Sequence, residues 1–402
     1  MIESTPIPSR QVPKSPGFDE TALAFIFGSV TAGVLFLFYH LAGLIPTWDA
    51  VYSFSPYFSL LADFARAGQF LLWNPYVNCG APDLAYPEMG AFSPFTLALA
   101  LTTGGGHTGF LLYWALIWGL FGTGACRLAF HLGTPRSIGM AIAAGLMFSG
   151  FFFGHATHTS WLYAFAFLPL ILWRLDVCLV SGRVWPAVEA GALYGLSALA
   201  GHPALVILNG LYLGAWALGR VLFGEATASA DLGPALRAKR SIIALALLLA
   251  VGLVVMSPSY LAFVYEAAGY SERTGYLARE IAVDDQAMPP AALATLASPY
   301  LAILKLYNPE LLPEVFIQLV NCSIGAVVLA LAVVTFTLYP RDRFRWWVLA
   351  TGLFFLLAAM GSILAERSGV VTFSMEAMML MGTIGGIIGS GVTNNVWMGV
   401  LL

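Results

Sequence analysis

The sequence predicts an all-α polytopic membrane protein: about ten transmembrane helices, with a long first outer loop that contains an interfacial amphipathic helix. Three observations carry that reading. Hydrophobic residues make up 59% of the 402-residue chain and charged ones 10%, with a mean hydropathy of +0.82, whereas soluble domains carry about 25% charged residues. Apolar runs near the ~20 residues that cross a bilayer core recur along the chain. Basic residues gather on alternate loops, as cytoplasmic loops of membrane proteins require.

The elements follow in order. Residues 1–20 are polar and Pro-rich and read as a disordered cytoplasmic tail. No small-residue cleavage site follows the first apolar run, so that run reads as a retained helix and not a signal peptide. The transmembrane domain is placed at 21–364. Its first span is Thr21 to Ile45, followed by the first outer loop at 46–106. Phe95 to Thr103 is too short to cross and reads as a re-entrant or interfacial piece ending at Gly104-Gly105-Gly106. Further spans are Thr108 to Phe130, Ile138 to Phe153, Trp161 to Val180, Pro186 to Leu199, Ala204 to Phe223 and Ser241 to Phe263. A second outer loop at 264–313 precedes Glu314 to Leu338 and Trp346 to Leu364. A Gly-rich C-terminal helix, 365–402, contains Val370 to Val392. Gly382 and Gly386 stand there at GxxxG spacing, which suits a close helix contact within the chain or with another subunit.

Charge supports this order. With the N-terminus in the cytoplasm, Arg10, Lys14, Arg127, Arg174, Arg220 and the Arg341-to-Arg345 cluster all fall inside. His107, His155, His158 and His202 then fall at outer ends of spans, and His131 inside. The net charge of −3 says nothing about nucleic acid, but no basic run is long enough to bind it, so no nucleic-acid partner is expected. The four cysteines show no CxxC spacing, which argues against a disulfide framework or a zinc knuckle. GxxxxGK[ST] and HExxH are absent, so the chain is neither an ATP-driven pump by itself nor a zincin.

The first outer loop holds the candidate chemistry. After Asp49, Val51, Phe54, Phe58, Leu61 and Ala65 recur at helical spacing, giving a helix expected to lie apolar face down in the membrane interface. A stretch rich in Pro and Gly then forms a rigid loop. Asp49 is a candidate base for transfer to a hydroxyl, or a cap for the helix behind it. Asp83 and Glu88 suit an acceptor sugar or a divalent metal, or are solvated turn carboxylates, the latter reading being favoured for Glu88. His155 and His158, in Gly-His-Ala-Thr-His, suit a lipid phosphate or a metal, or cap helix ends at headgroup level. His202, before Pro203, is a similar case. Arg273 and Arg279 in the second outer loop suit a phosphate, or pair with acidic neighbours in a solvated loop. Glu189 reads as an intramembrane charge that snorkels to the inner interface.

The spaced set Asp49, Tyr52, Pro56, Gly68, Trp73-Asn74-Pro75, Gly80-Ala81-Pro82, Gly90 and Pro94 resembles the first outer loop of the YfhO-like bacterial membrane proteins, which belong to the GT-C superfamily of polytopic glycosyltransferases. Weaker echoes run to about Leu364. The resemblance implies a GT-C-like fold in a bacterial inner membrane, shortened at its C-terminus. It implies Asp49 as the catalytic residue, with Asp83, Trp73, Asn74, His155, His158, His202, Arg273 and Arg279 around the substrates. The implied donor is a polyprenyl-phosphate-linked sugar delivered through the lipid bilayer, and the acceptor an envelope polysaccharide or glycolipid; a divalent metal stays open. Two other functions stay open: an inactive structural subunit of a membrane assembly, and a lipid or solute transporter.

Overall fold

The computed structural model describes residues 19–77, 79–223, 233–270 and 343–352, and a few isolated positions after 293. Most of the second outer loop, nearly all of the expected span Glu314 to Leu338, the part of Trp346 to Leu364 after residue 352 apart from 354, and Val370 to Val392 lie outside the described residues.

Eleven helices and one small hairpin make up the main described part. α1 (Glu20–Leu41) enters the bundle, and a single π-helical turn (Ala50–Phe54) leads into α2 (Ser55–Arg66). The hairpin pairs β1 (Trp73–Asn74) with β2 (Ala81–Pro82) in antiparallel register, Trp73 opposite Pro82. Two 3₁₀ turns, Asp83–Ala85 and Pro87–Met89, carry the chain to α3 (Pro94–Thr103). Then come α4 (Gly106–His131), α5 (Arg136–Met147), α6 (Gly150–Gly154), α7 (Thr159–Ala166), α8 (Leu168–Ser181), α9 (Trp185–Ala198), α10 (Pro203–Phe223) and α11 (Pro234–Tyr270).

Among the described residues, six helical stretches are long and apolar enough to cross a membrane: Glu20–Leu41, Gly106–His131, Arg136–Gly154, Thr159–Ser181, Pro203–Phe223 and Pro234–Tyr265. The chain is an all-α membrane protein. Its outward faces confirm the solvent. Phe25, Val30, Val34 and Phe38 on α1, and Ile242, Leu253, Val254 and Val264 on α11, are exposed. Apolar surface on this scale suits lipid and not water.

The expected span Pro186 to Leu199 corresponds to α9 (Trp185–Ala198). α9 has 14 residues, about 21 Å at 1.5 Å per residue. That is shorter than the ~30 Å hydrocarbon core. It packs chiefly on α8 and α11.

α4 is the central post, with Phe110, Trp114, Ile117 and Trp118 buried. α1 lies against it at close range because both helices offer small residues. A Cβ at Gly119 would stand 2.7 Å from the Gly28 carbonyl oxygen and 2.8 Å from the Ala32 methyl carbon. Where lipid is as apolar as leucine, such close backbone approach is what drives helix pairing. Gly191 and Gly195 do the same for α9 on α11: a Cβ at Gly191 would stand 2.6 Å from the Leu248 carbonyl oxygen. The GxxxG pair suggested by sequence, Gly382 and Gly386, lies outside the described residues.

The segment between α1 and α4 returns on the bundle as a shaped lid. α3 has legible signals at both ends: the Ser93 hydroxyl accepts from the Thr96 amide at 3.2 Å, Pro94 opens the helix, and Gly104 closes it at φ +77°. The apolar stripe of α2 does not face lipid as expected. Tyr57, Phe58, Leu61 and Ala62 are buried, and Phe58 stacks on Tyr113 of α4 at 5.2 Å with Phe110 edge-on at 6.1 Å. Aromatic partners on α4 are the nearer apolar surface, so the stripe belongs to the protein core.

At the opposite end of the bundle the basic residues gather. Asp176 of α8 is fully buried among donors. Arg220 donates from Nε to Oδ1 and from Nη2 to Oδ2, both at 2.7 Å; Trp216 donates to Oδ1 at 2.8 Å, and His131 Nε2 stands 2.9 Å from Oδ2. The Arg220 guanidinium also lies over the Phe344 ring at 4.2 Å, which docks the helical stretch 343–352 on this cluster. Nearby, Arg127 and Arg174 stack on Trp173, and Arg174 pairs with Glu189. Glu189 thus has a cation partner within the bundle.

Candidate functional site

The site is assembled where the 46–106 segment meets the ends of α6, α7 and α10. The turn between α6 and α7 is short, and the Trp114 indole holds it by donating to the Ala156 carbonyl oxygen at 2.9 Å. That anchor presents His155 and His158 on one side of Trp161, the third residue of α7. The His158 ring stacks on Trp161 at 4.8 Å and 24°, and the His155 ring lies 4.7 Å from it. His202, just before α10, meets the same indole edge-on at 5.5 Å. All three imidazoles are buried. Trp161 is therefore the hub that gathers histidines 47 positions apart in the chain, His155 to His202.

Each flank of the hub carries a carboxylate from the loop. Asp49 lies eight residues past the end of α1 at Leu41, and its Oδ2 stands 3.7 Å from His158 Nε2. Its side chain makes no capping hydrogen bond to the helical turn behind it. The Asp49 side chain thus stands beside the His158 imidazole and does not cap that turn. On the other flank, Glu88 Oε1 stands 3.8 Å from His202 Nε2, and its Oε2 accepts from the Ser160 hydroxyl at 2.8 Å. Ser160 also receives the His202 amide on its backbone oxygen at 3.2 Å, which locks α7, α10 and the loop together.

Asp83 lies elsewhere. It is buried and accepts from the Tyr57 hydroxyl. Burial pushes its carboxyl up to about 6, against the hydrogen bonds from Tyr57 and Asn74 that favour the charged form. Burial, then the adjacent Asp83 charge, drives the Tyr57 phenol well above its ordinary value. Asn74 is buried, and its Oδ1 closes the hairpin turn by accepting from the Tyr76 amide at 3.0 Å. Trp73 is half-exposed on the hairpin. The structure thus brings Asp49, His155, His158 and His202 to one hub. It places Asp83, Asn74 and Trp73 in the hairpin region and α2 contact. Arg273 and Arg279 lie outside the described residues.

Sequence reasoning gave little weight to Glu88 and none to Ser160. No periodic signal marks a carboxylate in an irregular turn, and only the fold shows which imidazole it meets. Among the described residues, no group of three or more His, Cys, Asp or Glu is arranged to hold a metal ion. The arrangement can accept a proton at a half-exposed carboxylate and present imidazoles to an anion.

Fold and site define a polytopic α-helical membrane protein with a carboxylate–imidazole cluster at one end of its bundle. No family model and no solved structure matches the chain. Among curated proteins, 44 residues are 46% identical to a putative glucose ABC transporter permease protein, TsgC13, of Haloferax volcanii; they cover 11% of this chain. The match spans 13% of that protein's length. It does not bear on the resemblance to YfhO-like proteins.

Proposed function

We propose that the protein is a GT-C-like membrane glycosyltransferase of a bacterial inner membrane, with its N-terminus in the cytoplasm and the Trp161 cluster on the outer face. It moves a sugar from a polyprenyl-phosphate donor to an envelope polysaccharide or glycolipid acceptor. The observation that carries the reading is the meeting of Asp49, just past the first membrane helix, with His158 at 3.7 Å. The resemblance of the loop pattern supports it.

The reaction is a direct displacement. Asp49 takes the proton of the acceptor hydroxyl as that oxygen forms its bond to the sugar C1. The bond from C1 to the phosphate oxygen breaks, and the electron pair leaves with the polyprenyl phosphate. His155, His158 and His202, with Arg273 or Arg279, stabilise that leaving anion. A lipid-borne donor suits a site at a membrane edge, because it arrives through the bilayer.

The test is sugar transfer onto envelope acceptors by the full chain, native against Asp49→Asn. Loss of about 10²-fold or more in the variant, with the fold retained, supports the enzyme. Transfer by the variant at the native rate removes Asp49 as base. No transfer by either protein overturns the reading in favour of a structural subunit or a transporter.

A further inference from the structure

The basic end of the bundle carries more positive charge than it pairs. Among the described residues there, Glu20, Glu189 and Asp176 each face a cation already: Arg127, Arg174 and Arg220 in turn. Arg183, Arg237, Lys239 and Arg240 have no ion pair among the described residues. Arg237 is the sharpest case. Its Nε and Nη1 are buried and make no hydrogen bond. A guanidinium drawn out of water needs an anion to offset its lost hydration.

The backbone gathers these four cations at one level of the bundle. Arg237 and Arg240 stand one turn apart on α11 and share a face. That face is turned to the end of α8: a Cβ at Gly182 would stand 2.8 Å from the Arg240 guanidinium carbon. Arg183 follows Gly182 directly. α9 and α11 run side by side from this end. A Cβ at Gly191 would stand 2.6 Å from the Leu248 carbonyl oxygen, and one at Gly195 2.8 Å from that of Gly252. Counting back equally along both helices sets Trp185 level with Ile242 and Arg183 level with Arg240. Val184, Trp185 and Ile242 are exposed, as is Lys239 one turn before Ile242. The cations therefore occupy the turn just before the lipid-facing surface of α11 begins, and an exposed tryptophan marks the boundary.

We propose that Arg237, with Arg240, Arg183 and Lys239, binds the phosphate of an anionic phospholipid at this end of α11. The phosphate supplies the countercharge that the described residues do not, and it approaches Arg237 from its remaining nitrogen, Nη2. Val184, Trp185 and Ile242 meet the start of the acyl chains. A lipid fits better than a soluble anion because the cations lead straight into apolar surface. The site lies at the opposite end from the Trp161 cluster and does not depend on the glycosyl-transfer reading.

The experiment titrates the full chain, in neutral detergent, with phosphatidylglycerol or with phosphatidylcholine of the same chain length. Bound lipid is counted by native mass spectrometry. Native protein, Arg237→Gln, Arg237→Lys, Arg240→Gln, the Arg237→Gln/Arg240→Gln double variant and the control Arg136→Gln are compared. Native protein is expected to hold phosphatidylglycerol about tenfold or more tightly than phosphatidylcholine. Each single glutamine variant is expected to lose about fivefold of that affinity and the double variant about 25-fold. Arg237→Lys recovers part of the loss, and Arg136→Gln stays within about twofold of native. Thermal unfolding supplies a second readout. Without phosphatidylglycerol, Arg237→Gln is expected to be at least as stable as native, because an uncompensated cation has gone. With it, native gains more stability than the variant. Equal affinity of native protein for the two lipids overturns the inference, and so does native-like binding of phosphatidylglycerol by Arg237→Gln. Displacement of the lipid by millimolar inorganic phosphate marks a soluble-anion site and overturns it too. So does an Arg237→Gln variant that is less stable than native in detergent alone. That result assigns the guanidinium an internal partner, such as Glu225 or Asp231, which lie outside the described residues.

Discussion

Replacing Asp176 with asparagine removes the one negative charge at the centre of the basic-end cluster and leaves its donors in place. Arg220 loses the 2.7 Å bond from Nη2 and the charge on the other, whose Oδ1 still accepts from Nε and Trp216, and the new amide nitrogen faces Arg220 Nη2 and His131 as a second donor. Breaking a buried pair from one side costs about 3–5 kcal/mol, because the partner charge stays behind. The lower end applies here. Arg220 keeps 13% side-chain exposure and can turn toward headgroups or water. The expected loss is therefore about 3 kcal/mol, or roughly 150-fold in the unfolding equilibrium. Reversible unfolding in mixed micelles reads it directly. A double replacement, Asp176→Leu with Arg220→Leu, removes both charges and is expected to recover most of the loss. The reasoning fails if Asp176→Asn costs under about 1 kcal/mol, or if the double variant is no more stable than the single one. Protection of 343–352 against hydrogen exchange is expected to fall in Asp176→Asn, since Phe344 docks on the freed guanidinium.

Two other predictions concern the loop. The Asp83 carboxyl rises from 3.8 in the free group to about 6 when folded. The folded state therefore binds the extra proton, so loop stability is greatest below about pH 4 and declines as pH climbs to about 6. Hydrogen exchange of residues 69–93 across that window measures the decline, and Asp83→Asn is expected to remove it. Cys79 is exposed, while Cys126 and Cys178 are buried. In a Cys322→Ser background, an impermeant maleimide added to intact cells is expected to label Cys79; labelling only after lysis would place the loop in the cytoplasm and invert the proposed orientation.

Much of the helical order is legible in the sequence. The expected span from Ala204 to Phe223 and α10 (Pro203–Phe223) nearly coincide, because Pro203 marks the start and an apolar run of membrane length follows. α3 is legible for the same kind of reason: Pro94 and the three glycines from Gly104 bound it. The facing of the helices is not legible. In a membrane protein both the lipid side and the buried side of a helix are apolar, so hydropathy cannot tell them apart. That is why the α2 stripe reads as lipid-facing in the sequence and packs on Phe110 and Tyr113 in the fold. No sequence pattern marks Asp176, because one aspartate in a long apolar run has no periodic partner around it.

By itself, the sequence determined that the chain is a helical membrane protein and where most of its described helices begin and end. These properties are local: each depends on composition, period and breakers within some twenty residues. Only the tertiary structure decided that Asp49 meets His158, that Glu88 meets His202 and Ser160, and that Asp176 is ringed by Arg220, Trp216 and His131. Those partners are 40 (Asp176–Trp216) to 114 (Glu88–His202) positions apart. They are joined by glycine-mediated helix approach and by one buried tryptophan, and neither leaves a period in the chain to read.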